Sequence, residues 1–166
     1  IAFDPEQYDL VVNCEPNYEF RYGERVEPLI IRNSDELKSR REARRLLGVE
    51  EGKKCCVVAH NGYAGELEEI LSIYEVDLSE YQLISLTSTA EGKNIFPLAE
   101  YVNGIDFLVG GAGYNLFYEA RFFGVPSHHI PFERNGDDQF LRLEINREYA
   151  FASNGADQLA EMILDL

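Results

Sequence analysis

KCCVVAH (54–60), then the Asn61-Gly62 turn, then GELEEILSIY (65–74), decides the fold of this chain. The first stretch is apolar without alternation, as in a strand buried on both faces. The second is amphipathic at helical spacing. The same alternation continues downstream. YQLISLTS (81–88), IDFLVGG (105–111) and VPSHHIPF (125–132) read as further strands. YNLFYEARFF (114–123), DDQFLRLEI (137–145) and ADQLAEMILDL (156–166) read as helices, and residues 89–94 form a loop. Buried strands separated by helices predict a Rossmann-like, doubly wound parallel α/β sheet.

Upstream the pattern is less regular. YDLVVNCEP (8–16) reads as a short strand ended by Pro16, residues 17–27 as a loop or linker, and PLIIR (28–32) as a second short strand. Asn33 and Ser34 offer N-caps for a helix through ELKSRREARRLLGV (36–49), with Gly48 as its stop. The chain therefore divides into an entry segment, 1–52, and a sheet domain, 53–166.

The 166 residues suffice for one ordinary core, and the first residue, Ile1, suggests a piece of a longer polypeptide. A net charge of −15 argues against nucleic acid and anionic membranes, which demand basic patches. Small phosphorylated ligands stay open, because backbone amides hold phosphate without any Lys or Arg. There is no apolar run of membrane-spanning length and no basic-then-apolar leader, so a soluble, cytoplasmic protein is expected. Cys14, Cys55 and Cys56 are an odd set without metal-ligand spacing, and the last two open an apolar strand. They read as core thiols.

Ligands of such sheets bind beyond the carboxyl ends of the strands. Two glycine turns fall there, His60-Asn61-Gly62 and Gly110-Gly111-Ala112-Gly113. The second feeds directly into a helix, whose free N-terminal amides suit a diphosphate. A tight structural turn is the equal alternative. The usual dinucleotide fingerprint is missing after the first core strand, which disfavours a nicotinamide cofactor. Asn115 and Glu119 lie one helical turn apart beside the apolar stripe Leu116, Phe117, Ala120 and Phe123. A carboxylate so placed suits a vicinal diol such as a ribose; a solvated surface glutamate is the plain alternative.

GGAGYNLFYEARFFGVPSHHIPFERNGDDQFLR (110–142) resembles the donor-site signature of GT-B glycosyltransferases. It is most similar to the family of the peptidoglycan lipid-intermediate N-acetylglucosaminyltransferase. Five elements carry the resemblance in order: Gly110 to Gly113, Glu119-Ala120, Gly124-Val125-Pro126, Ile130-Pro131 and Asp138-Gln139. It spans roughly 54–166 and, more loosely, the entry segment, which looks like the end of an acceptor domain and its linker. The resemblance implies one half of a GT-B architecture, an inverting transfer from a nucleoside diphosphate sugar, and most simply a UDP-sugar.

By the same resemblance Glu119 would hold the ribose, and Asp138 and Gln139 the donor sugar, with Asp137 as N-cap or helper. Gly111, Ala112, Gly113 and Asn115, with Asn61 and Gly62, would face the diphosphate. Ile95 and Phe96 would flank the base. The catalytic base, and any membrane contact, would belong to the absent acceptor domain. Neither a metal nor a cofactor beyond the nucleotide sugar is expected. The His60-Asn61-Gly62 turn departs from the Gly-Ser type common in the family, which puts its phosphate contacts in doubt. Alternatives are the donor domain of a nucleotide-sugar epimerase or hydrolase, a binding subunit of a split glycosyltransferase, and a plain nucleotide-binding module. His128 and His129 point to opposite faces as strand neighbours and read as ordinary core and surface residues. Arg142 reads as a phosphate contact or a surface pair.

Overall fold

A computed structural model describes residues 4–60, 63–73, 80–87 and 95–166. Four parallel strands form the main sheet: β3 (Lys54–His60), β4 (Tyr81–Thr87), β5 (Phe107–Gly111) and β6 (Ser127–Ile130). Their order is β4-β3-β5-β6. The expected Rossmann-like α/β fold is the one observed.

The two sheet faces follow from strand alternation. Cys55, Val57, Ala59, Ile84, Leu86 and Leu108 point to one side, and α3 (Tyr114–Phe122) covers them with Leu116 and Ala120. Cys56, Val58, Val109 and Ile130 point to the other, where α2 (Ala64–Ile73) supplies Leu67, Ile70 and Leu71. Each large aliphatic side chain buried there stabilises the fold by about 1.5–3 kcal/mol. Chain direction reverses between β3 and β5. From β3 the chain moves outward to β4 by way of α2; from β5 it moves the opposite way to β6 by way of α3. That topological switch point opens a crevice at the carboxyl ends of β3 and β5. His60 and Gly111 stand on its two sides.

The entry segment differs from the sequence reading. Its strand β1 (Val12–Asn13) pairs in parallel with β2 (Glu24–Arg25), inside the stretch expected to be loop. Residues 28–32 form no strand. Asn154 instead binds both sides of Ile30: the Ile30 N–H donates to Oδ1 at 3.1 Å, and Nδ2 donates to the Ile30 carbonyl at 2.7 Å. Asn154 also caps α5 (Gly155–Leu164). Gly155 must be glycine, because a Cβ there would overlap the Glu27 carbonyl. The helix expected to begin at Asn33 or Ser34 starts later. Asn33 caps only a 3-10 turn, Ser34–Glu36, and α1 (Arg40–Leu47) begins after Ser39, whose hydroxyl accepts from the Glu42 amide. Gly48 does end it, in the left-handed conformation at φ 76°. Ala43 and Leu47 bury α1 against a 3-10 segment, Leu98–Gly104, that the periodicity had not revealed.

Cys55 and Cys56 are buried free thiols, and burial pushes the Cys55 thiol up to about 11. Among the described residues no helix is long and apolar enough to cross a membrane.

Candidate functional site

The glycine turn after β5 divides into parts with separate tasks. A Cβ on Gly110 would collide with the Ala59 carbonyl and the Leu116 side chain, so this glycine serves the packing of α3 on the sheet. Gly111 faces the His60 ring, where a Cβ would come within 3.1 Å of Nδ1. Ala112 is fully buried, with both backbone groups engaged: its N–H donates to the Ile130 carbonyl at 2.9 Å, and its carbonyl accepts from Arg142 at 2.9 Å. Gly113 is different. Nothing lies within 4 Å of where its Cβ would be, and it caps α3 without any side-chain bond. Its N–H donates to no partner among the described residues, so the free amides begin at Gly113, at the positive end of the α3 dipole.

Asn115 is exposed on the first turn of α3, and Glu119 follows one turn later. Glu119 lies on the helix that the glycine turn starts, on the same sheet face. Its carboxylate is half-buried and makes no hydrogen bond among the described residues. Burial raises its pKa, and the charge of Arg32 only partly offsets this. The Glu119 oxygens are not shut off from solvent, so they can accept from water or from ligand hydroxyls. Phe96 is 85% exposed, whereas Ile95 packs partly on the core. Asn61 and Gly62 lie outside the described residues.

Across the switch point a second carboxylate is fully satisfied. Glu66 accepts from Arg134 through both oxygens, at 2.7 and 2.5 Å, and its Oε2 lies 2.8 Å from His60 Nε2. The Tyr63 amide donates to it at 3.0 Å, the back-reaching bond of a helix-start glutamate. The Arg134 guanidinium, helped by His60, holds the Glu66 carboxyl down at about 2. This cluster joins the ends of β3 and β6 over the α2 face.

Beside it a cleft of about 720 Å³ lies between the loop after β6 and the entry segment. Asp137, Asp138, Gln139, Arg134, Glu15 and Phe20 are among its walls. Asp138, not Asp137, is the N-cap of α4 (Gln139–Asn146), accepting from the Leu141 amide at 3.0 Å. Gln139 is buried; its Oε1 accepts from the Phe132 amide and its Nε2 donates to Asp137. The structure thus gathers the three sugar-side candidates on this cleft and sets Gly113, Asn115 and Glu119 along the start of α3, just after Gly111 and Ala112. Glu119 does not line the cleft.

Arg142 connects the two groups. It is buried at 6% exposure, neither a surface pair nor an open phosphate contact. Besides Ala112 it holds Glu15 with three bonds of 2.8–3.1 Å and Asp137 at 2.6 Å. Burial works against its charge, and the bonds to Glu15 and Asp137 more than offset that, so its pKa is raised. Tyr118 donates to Glu15 at 2.5 Å, and Asn146 donates to Glu15 and to the Tyr118 oxygen. His129 packs edge-on against Phe117, with burial lowering its pKa to about 4, while His128 is exposed.

Sequence reasoning missed Glu15, Glu66 and Arg134. The first pairs across 127 residues, beyond any local pattern. For Glu66 a signal existed, since it stands three residues after a helix-start position. Among the described residues no group of three His, Cys, Asp or Glu side chains is arranged to hold a metal ion. No family model matches the chain, and no curated protein matches it.

Proposed function

We propose that this chain is the nucleotide-sugar-binding domain of an inverting glycosyltransferase, taking a nucleoside diphosphate sugar, most simply a UDP-sugar. The observation that carries the reading is the pairing, on one helix, of the unpartnered Gly113 amide with the half-buried Glu119, which has no protein hydrogen-bond partner among the described residues. Phosphate belongs at the first and a vicinal diol at the second. Their order along α3 matches the order of diphosphate and ribose in a nucleotide. The donor-site resemblance of residues 110–142 supports the same assignment, as does a parallel-sheet switch point with ligand-sized space beside it.

In this mechanism an acceptor hydroxyl attacks the anomeric carbon from the face opposite the leaving group. The bond from that carbon to the diphosphate oxygen breaks as the new glycosidic bond forms. The α3 amides stabilise the charge gathering on the departing diphosphate. Asp138 and the remaining bonding capacity of Gln139 orient the sugar. A base supplied by an acceptor domain takes the hydroxyl proton.

Calorimetric titration with UDP, a UDP-sugar and NAD tests the reading. Binding of UDP, tighter binding of a UDP-sugar, and no binding of NAD are expected. Saturation by NAD but not by UDP would overturn it.

A further inference from the structure

We infer that Arg142 is a positioning residue for the diphosphate: it aims the first free amide of the glycine turn. The inference rests on the donor-site reading above and adds a residue that never touches the ligand.

The argument is one of peptide geometry. The bond joining Ala112 to Gly113 is planar and trans, so the Ala112 carbonyl and the Gly113 N–H point in opposite directions. Arg142 donates to that carbonyl from inside the fold at 2.9 Å. The Gly113 N–H must then point away from the guanidinium, and it donates to no partner among the described residues. The Ala112 N–H, on the preceding peptide, is tied to Ile130, so the residue is anchored just before the plane that Arg142 holds. Without the arginine bond, this peptide could rotate and lose the direction of its amide.

The guanidinium is itself immobile. Its fork is occupied by Glu15 on one edge and Asp137 on another, and both acceptors belong to walls of the neighbouring cleft. Asp137 in turn receives the Gln139 amide. A single planar cation thus holds the phosphate-facing turn and the sugar-side loop in one register. Lysine keeps the charge but cannot supply that fork.

The test uses the whole chain, with UDP and inorganic pyrophosphate as probes. Arg142→Lys is compared with Asn154→Ala, which loses bonds to Ile30 and the α5 cap away from the turn. Arg142→Lys should bind both probes about tenfold more weakly, or about 1.4 kcal/mol. It should also move the ligand-free Gly113 amide resonance. Asn154→Ala should lower Tm while leaving both affinities and that resonance at wild-type values. A folded Arg142→Lys with wild-type affinities and an unmoved Gly113 signal would overturn the inference alone. If that variant does not fold, pyrophosphate titrated into the wild type decides. The Gly113 amide should then shift most among residues 110–113, and a smaller shift there than at Gly111 would overturn the inference. Wild-type chain that binds neither probe would remove the donor site and this role together.

Discussion

Two helix glutamates flank the switch point, one on each face of the sheet, and their surroundings are opposite. Glu66, at the start of α2, is surrounded by Arg134, His60 and the Tyr63 amide, and its pKa is pressed down to about 2. Glu119, on α3, is half-buried without a donor, and its pKa is raised. The first carboxylate has all that a buried charge needs and acts as a brace between β3 and β6. The second lacks it. A fold that satisfies one carboxylate so completely and leaves its counterpart to solvent has bonding capacity for a ligand at the second.

Exchanging the two residues' fates is the sharpest way to break this comparison. Glu66→Ala deprives Arg134 and the His60 ring of their acceptor and should lower folding stability by about 3 kcal/mol. Urea denaturation measures it, and an unchanged midpoint would deny the brace. Glu119→Ala should do the reverse. Stability should change by less than about 0.5 kcal/mol, while UDP affinity falls by about 2 kcal/mol, through lost charge-assisted bonds to the ribose. Loss of stability without loss of affinity would make Glu119 a structural residue like its counterpart. Gly113→Ala extends the comparison to the turn. The residue sits at φ −61° with open space beside it, so folding should be unaffected and affinity should fall by about 1 kcal/mol.

The pH dependence should separate the two carboxylates by sign. Glu66 has a folded pKa below its ordinary 4.5, so its stabilisation is complete above 4.5 and is lost as pH falls towards about 2. Glu119 has a raised folded pKa, so its contribution is present at low pH and lost as pH rises through that folded value. His129, lowered from 6.5 to about 4, adds a loss as pH falls between those values. Glu66→Gln should therefore flatten the acid limb below 4.5, and Glu119→Gln should raise stability at neutral pH. An acid limb identical to wild type in Glu66→Gln would contradict the assignment.

The sheet was legible because its strands carry their own signal. KCCVVAH and FLVGG are continuous apolar runs, YQLISLT is a β-branched and aromatic one with alternating exposure, and each became a strand within a residue or two of the expected end. PLIIR carried the same signal and is not a strand, because Asn154, far along the chain, takes the backbone groups of Ile30. The 3-10 segment Leu98–Gly104 was missed because its period differs from that of a helix or strand. Within the site, spacing made Gly113 and Glu119 candidates against equally plain structural readings, and the donor-site resemblance gave them their roles. The Arg142–Glu15 pair gave no such signal, since its contacts join residues 127 apart. Glu15, read as the end of a short strand, is part of a cleft wall held by a buried arginine, and only the packing of α3 and α4 reveals it.

The most direct measurement is a crystal structure of the chain with UDP. The diphosphate should lie on the amides from Gly113 onward, with both ribose hydroxyls within hydrogen-bonding distance of the Glu119 carboxylate. A nucleotide lying on the α2 side against Arg134, with Glu119 still without a partner, would contradict that placement.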